Sequence, residues 1–501
     1  MTRKPLVLGA LLLAAFAINV DTTIVNVALP TLVRELDAST TELEWIVDAY
    51  NLVFAALVLA SGNLSDRLGR KGVLLAGLSV FGTASLAGAF GSSPGEVIAA
   101  RAVMGFGAAL IFPATLSLLT NVFTKRRERA RAIGLWGATT GVGIAVGPIL
   151  GGWLLERFSW SSVFYALVPI AALGALLVAV AVPTSRDPEA PPADRAGLIL
   201  SSTGMALLVY TIIEAPNHGW GSARTVAGLG GAAAVLAAFV AWERRARAPM
   251  LDVALFRNPR FSAASGAVTI TFFSLMGFIF LVTLYFQFLK GYGAFSTGLR
   301  LLPVATLVGI TSVAGTRLAV RSGTKLVVAG GLVSLAAGLL WTSTASETTT
   351  YLTIAGQMVL IGSGIGLTSA PATESIMGAV PPAKAGVGSA INDATRILGA
   401  TLGVAVIGST YASLYRSRLD AVDGIPEVAR RSVGAAFEAA GRLGGADGAA
   451  LHDAASTAFF HGFHVACVVA AAVAVAGAAM AVVLLPAHPP MLLPIARNEA
   501  A

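Results

Sequence analysis

Apolar runs long enough to cross a bilayer alternate with short polar segments from one end of the chain to the other. At about 20 residues per span, they fall near 5–29, 45–63, 72–91, 96–121, 132–155, 161–183, 197–215, 225–242, 261–289, 297–320, 325–344, 351–377, 386–410 and 458–485. The pattern predicts an all-α polytopic membrane protein with fourteen transmembrane helices. Its irregular interruptions are the Pro-rich polar linker 184–196, after the sixth run, and the Ala-rich segment 411–457, before the last. The latter carries scattered Arg, Glu and Asp, and reads either as amphipathic helices over the outer mouth or as a solvated loop.

Composition removes the soluble alternative. Charged residues are 12% of 501 and apolar types 56%, with mean hydropathy +0.78, too little polar surface for a water-soluble fold of this size. The net charge of +8 does not point to nucleic acid, because Lys and Arg sit between the apolar runs and form no single stripe. They mark topology instead. Arg3, Lys4, Arg67, Arg70, Lys71, Lys125, Arg126, Arg127, Arg129, Arg131, Arg244, Arg245, Arg247, Arg321 and Lys325 occupy alternate loops, against Arg34, Arg157, Arg224 and Lys290 on the opposite side. The positive-inside rule then makes both termini cytoplasmic. Ala15-Phe16-Ala17 imitates a signal-peptide cleavage site, but the run continues to Pro30 and carries Asp21, so it is a first span. Cys467 is the single cysteine, which leaves no intrachain disulfide and no metal cluster.

The chain repeats itself. Ser61 to Gly77, Ser-Gly-Asn-Leu-Ser-Asp-Arg-Leu-Gly-Arg-Lys-Gly-Val-Leu-Leu-Ala-Gly, is echoed by Ala314 to Gly330, and Gly105-x-Gly107 followed by Pro113-Ala-Thr115 by Gly362-x-Gly364 followed by Pro371-Ala-Thr373. Two six-helix halves, 1–183 and 261–485, are implied, with 184–260 holding a linker and two inserted spans and 486–501 a tail. Such repeats build two faces around a midplane site in secondary transporters.

Ionisable residues inside spans are costly and so are candidates for function. Asp21 has Asn19, Thr22 and Asn26 at helical spacing; Asp48 has Asn51 on its face; Arg101 approaches from the same side as Asp48. These three could form a proton-coupling set, or Arg101 could be one half of a structural ion pair. Asp393 and Arg396, three apart, can pair on one helix face, as a static bridge or a gate, and Glu374 has no partner apparent in sequence. Glu214 reads as interfacial and Trp45 as an interfacial anchor. Gly143, Gly147 and Gly151, with Pro148 among them, put small residues on one face of the fifth span and bend it. In the loop after the second span, Gly62, Asp66, Arg67, Gly69 and Arg70 could latch one conformation, or simply hold the inner surface. Phe272, Phe273, Phe278 and Tyr285 belong to an aromatic-rich ninth span and, with Asn26, are substrate-cavity candidates.

Taken together these segments resemble the major facilitator superfamily, in its fourteen-helix drug:proton antiporter branch, over nearly the whole length. Gly62 to Lys71 resembles the superfamily's loop motif, Asp21 to Pro30 the branch's first-helix motif, Glu44-Trp-Ile-Val-Asp48-Ala-Tyr50 its second-helix opening and Arg101 to Gly107 its fourth-helix motif. Gly147-Pro148 to Gly152 resembles the antiporter motif, and Glu214 to Ser222 the connection between spans seven and eight. The resemblance implies proton-coupled export of small lipophilic molecules by alternating access, with membrane lipid, protons and substrate as partners, a monomer, and the bacterial cytoplasmic membrane as location. It also shows departures: Ala319 and Val320 stand near the place of Asp66 in the second loop, no Gly-Pro recurs in the thirteenth span, and Ser296 to Val320 holds only Arg300 and Arg317, so cationic substrates are not specifically favoured. No P-loop occurs, which excludes self-contained ATP drive. Nor do the five histidines form a catalytic or metal set, so neither enzyme nor cofactor is expected, the proton being the coupling ion. An exporter of one metabolite or lipid and a non-transporting membrane sensor are the alternatives.

Overall fold

The computed structural model describes residues 4–186, 194–380, 385–422 and 424–486, and every described element is helical. The first half comprises α1 (Lys4–Leu36), α2 (Thr40–Leu68), α3 (Arg70–Ala89), α4 (Pro94–Val122), α5 (Arg126–Arg157), α6 (Ser162–Tyr165) and α7 (Leu167–Ala181). The inserted pair is α8 (Arg195–His218) and α9 (Ala223–Glu243). The second half comprises α10 (Pro259–Leu284), α11 (Ala294–Arg300), α12 (Leu302–Ser322), α13 (Thr324–Thr342), α14 (Tyr351–Gly378), α15 (Ala385–Asp420), α16 (Glu427–Arg431), α17 (Val433–Leu443) and α18 (Gly445–Leu484). Each apolar run named above falls on one of these helices. Among the described residues, twelve spans, α6 and α7 joining into one and α11 and α12 into another, are long and apolar enough to cross a membrane. The 29-residue α2 and the 32-residue α5 have the length as well, and the apolar runs 45–63 and 132–155 lie within them.

Local sequence sets the helix ends. Ser39 accepts from the Glu42 N–H while the Glu42 carboxylate accepts from the Ser39 N–H, a reciprocal cap that starts α2. Ser93 caps α4, with Pro94 in its first turn. The turn between α2 and α3 closes at Gly69, with φ 111°, whose N–H donates to the Ser65 carbonyl at 3.1 Å. Its counterpart between α12 and α13 is Gly323, with φ 90° and an N–H on the Ala319 carbonyl. That equivalence moves the register of the repeat by one residue from the sequence alignment, pairing Gly69 with Gly323 and Asp66 with Val320. A left-handed turn needs glycine, whereas a run of Gly and Ala can slide. Gly69→Ala is therefore expected to lower stability by about 1–2 kcal/mol, read as a reduced unfolding temperature in detergent.

The repeat is also visible in the packing. In the first half α1 lies on α5 and α7, α2 and α3 lie on α4, and α3 lies on α7; in the second half α10 lies on α15 and α18, α12 and α13 lie on α14, and α13 lies on α18. The glycine echo explains part of this. A Cβ on Gly107 would stand 2.8 Å from the Phe81 nitrogen of α3, and one on Gly364 would collide in the same way with Gly331 and Leu335 of α13, so both fourth helices ride directly on a neighbour's backbone. The inserted α8 and α9 pack on each other, and α8 touches both α2 and α15.

Segment 411–457 is not a loop. The thirteenth span runs on to Asp420, α18 starts at Gly445, and α16 and α17 form a cap over a small core of Ala429, Ala436, Ala440, Leu451 and Ala455. This is the amphipathic-helix alternative, with α15 and α18 extended well beyond the apolar runs that betrayed them.

Candidate functional site

The two ends of the bundle are named here by their turns, the α1–α2 end and the α2–α3 end. At the α1–α2 end the halves close on each other. Gly298 of α11 sits against the backbone of Pro148 in α5, and Gly152 of α5 against that of Ala294. The Phe295 N–H donates to Glu156 at 3.2 Å, and Gln287 donates to the Val27 carbonyl at 2.8 Å. Ser409 donates to Glu44 at 2.9 Å, and Thr40 to the Arg431 carbonyl at 3.1 Å. Gly434 of α17 rests on Val33 and Phe288. The small-residue face of α5 thus serves two purposes: Gly143, Gly147 and Gly151 bring α1 into backbone contact through Asn19, Val20, Thr23 and Ile24, while Pro148 turns to the other half. In the second half Gly399 and Gly403 perform the first task alone, against Thr269 and Phe273 of α10, without a proline.

Inside the first half, α1, α2 and α4 meet at a buried charge. Arg101 Nη1 donates to both oxygens of Asp21 at 2.7 Å, and its Nε donates to the Ile46 carbonyl at 3.0 Å. Both side chains are 1% exposed, and the guanidinium lies 4.3 Å from the Tyr50 ring centroid. Gly105, one turn beyond Arg101, lets the Tyr50 backbone approach. The equivalent of Arg101, by the glycine register, is buried Met358, so this pair exists once.

Asp48 does not join it. Its side chain is fully buried, with Asn51 of its own helix as polar neighbour and no cation beside it among the described residues. The expected set of three therefore divides into an ion pair, Asp21–Arg101, and an acid that stands apart. Asn26 is buried on α1, donates to the Thr22 carbonyl at 3.1 Å and leaves its Oδ1 unsatisfied.

The second half differs from expectation. Asp393 and Arg396 form no ion pair: Arg396 donates to Thr373 of α14 at 3.2 Å and lies 5.3 Å from the Phe272 ring centroid, while Asn392 donates to Asp393 at 3.5 Å. A hydroxyl and an aromatic face on neighbouring helices capture the guanidinium ahead of the intrahelical acid. Glu374 is exposed on α14, with Arg260 at the start of α10 bearing on it electrostatically, so it does have a cationic neighbour. Phe273 and Phe278 are buried in the core. Tyr285 is packed among Phe459, Phe460 and Phe463 of α18, its hydroxyl on the Ser346 carbonyl at 2.7 Å, which makes it a brace within the second half.

Of the residues expected in the loop after the second span, Gly62 and Arg67 lie in α2, Arg67 exposed and a Cβ on Gly62 3.8 Å from Pro113 of α4, and the N–H of Arg70, first residue of α3, donates to the Ser185 carbonyl at 3.0 Å. The Asp66 side chain lies outside the described residues. Residues that sequence reasoning passed over include Thr373, Asn392, Arg260 and, above all, Glu44, whose position four before Asp48 was the available signal.

Two pseudo-symmetric helical halves, closed at one end around buried charge, define a multi-pass membrane transporter. Residues 11–404 match the model of the Major Facilitator Superfamily, and the chain belongs to that superfamily. It is 35% identical over 483 residues to the multidrug efflux pump LfrA of Mycolicibacterium smegmatis, covering 96% of each chain. It is 34% identical over 393 residues to the methylenomycin A resistance protein of Streptomyces coelicolor, covering 78% of this chain and 82% of that one. Among solved structures, an inward-facing, occupied crystal structure of a bacterial homologue of the human lysosomal transporter Spinster superposes with a TM-score of 0.68 over 97% of this chain and 98% of that one, at 15% identity, and so matches the fold.

Proposed function

We propose that this protein exports small lipophilic molecules, drugs or natural products among them, in exchange for protons by alternating access. The observation that carries the reading is the seam at α5: the glycine face holds α1 while Pro148 meets Gly298 of the other half, an arrangement in which a rocking motion would open one end. The efflux and resistance proteins to which the chain is similar support export. The basic loops favour a bacterial cytoplasmic membrane with both termini inside, which makes the closed α1–α2 end the outer one. The working unit is a monomer in lipid, the coupling ion is the proton, and no other cofactor is invoked. We place the domain limits at 1–183, 184–260 and 261–485, a division that the repeated helix pairings support.

Asp48 is the favoured coupling acid, because an unpaired buried carboxylate can take and lose a proton where a paired one resists. Asp48→Asn is expected to abolish transport driven by an imposed pH gradient in proteoliposomes while leaving downhill exchange of substrate intact. Gradient-driven transport equal to wild type would move the coupling site elsewhere. The function itself is tested by measuring proton flux on adding ethidium and a panel of uncharged drugs and lipids to proteoliposomes. No compound-dependent flux for any of them would reject antiport.

A further inference from the structure

Glu44 and Asp48 occupy successive turns on one face of α2, where the first half meets α15 of the second half and α8 of the inserted pair. Both side chains are fully buried. Ser409 Oγ reaches across from α15 to Glu44 Oε2 at 2.9 Å, and Gly408 beside it makes room for the carboxyl group, since a Cβ there would stand 2.7 Å from the Glu44 carboxyl carbon. Among the described residues, Glu44 Oε1 meets no hydrogen-bond partner, and Asp48 has Asn51 of its own helix and no cation beside it. The charged groups bearing on Glu44 are Asp48 on its own helix and Glu214 on α8, all acidic. Of the cations and titratable groups on the other elements packed against α2, Arg101 of α4 is held by Asp21 of α1 and the Ile46 carbonyl, Arg416 of α15 by the Pro216 carbonyl and Asn217, and His218 of α8 lies between the Glu214 carbonyl and Arg224. The wall around the seam is apolar, with Leu52, Val209, Ile212, Ile213 and Ala405 buried together.

Two carboxylates in a dry seam without a cation cannot both remain charged at tolerable cost. Water entering as the end opens removes that cost.

We propose that Glu44, with Asp48, is a proton-binding latch: a proton held there lets α2 close on Ser409 of α15, and its release opens the α1–α2 end. The inserted α8 gives the latch its dry wall and brings a third acid, Glu214, held by Trp45 and Asn217. This deepens the alternating-access reading and rests on it, adding a protonation site that gates the outer mouth.

The test places spin labels at D37C and V422C, exposed on opposite halves at this end, in a C467S background of the full chain in lipid nanodiscs. The distance distribution is then followed against pH. Wild type is expected to shift to longer distances as pH rises, while E44Q, which keeps its shape and its bond to Ser409, stays short throughout. S409A, which loses only the bond across the halves, is expected to open at lower pH than wild type. An E44Q or S409A curve superposing on wild type would overturn the latch, as would a wild type with no pH response. Ethidium-driven proton flux in proteoliposomes keeps the two ideas separate: its loss in wild type, with the pH response intact, would remove antiport and leave the latch standing.

Discussion

Arg101→Ala is expected to be the most damaging single substitution in the first half. It leaves Asp21 fully buried with neither its guanidinium partner nor water, and it frees the Ile46 carbonyl and the Tyr50 ring from their shared contact. Removing one member of a buried pair costs about 3–5 kcal/mol, a large fraction of the stability of most folds. The purified variant should therefore unfold at a markedly lower temperature in detergent and should not transport. Arg101→Lys is expected to rescue only part, because a single ammonium cannot reproduce the Nη1 and Nε bonds together. Asp21→Asn separates structure from coupling. The amide keeps an acceptor for Arg101, so folding should survive, and if Asp21 is only structural then proton-coupled transport should survive with it. Transport lost in well-folded Asp21→Asn would instead put Asp21 in the proton path.

The sequence made this pair conceivable but could not make it specific. Asp21 and Arg101 are 80 residues apart, on α1 and α4, and no local spacing links them. Apolar length was the strongest signal, because a bilayer imposes it on every span. The same physics misplaced the ends of α15 and α18, which run on past their apolar runs into the small α16–α17 core. Asp393 and Arg396 show the limit of local spacing: the i,i+3 geometry permits a bridge, yet Thr373 and Phe272, more than 20 and 120 residues away, take the guanidinium. Glu44 was legible as a neighbour of Asp48 but not as an inter-half contact, since Ser409 lies 365 residues along the chain.

Gly298→Val is expected to trap the protein open at the α1–α2 end. A Cβ on Gly298 would stand 2.7 Å from the Pro148 carbonyl carbon and 3.0 Å from the Ile149 nitrogen, and neither is a side chain that can turn away. Each half keeps its own helix pairings, because the clash lies only between them, so the variant should fold and insert. What it loses is closure. Overpacking of this kind costs about 1–3 kcal/mol, and applied to one conformation it shifts the balance between states by about 5- to 150-fold. Transport should fall in proportion to the time spent unable to close, while a cysteine replacing Val33, which is buried under Gly434 of α17 when the end is shut, should react faster with an impermeant thiol reagent. Leu299→Ala, one residue along but exposed, should leave both readouts at wild-type values. If Gly298→Val transports normally, the α5–α11 contact is not a gate, and Pro148 would be left with only the bend it imposes on its own helix.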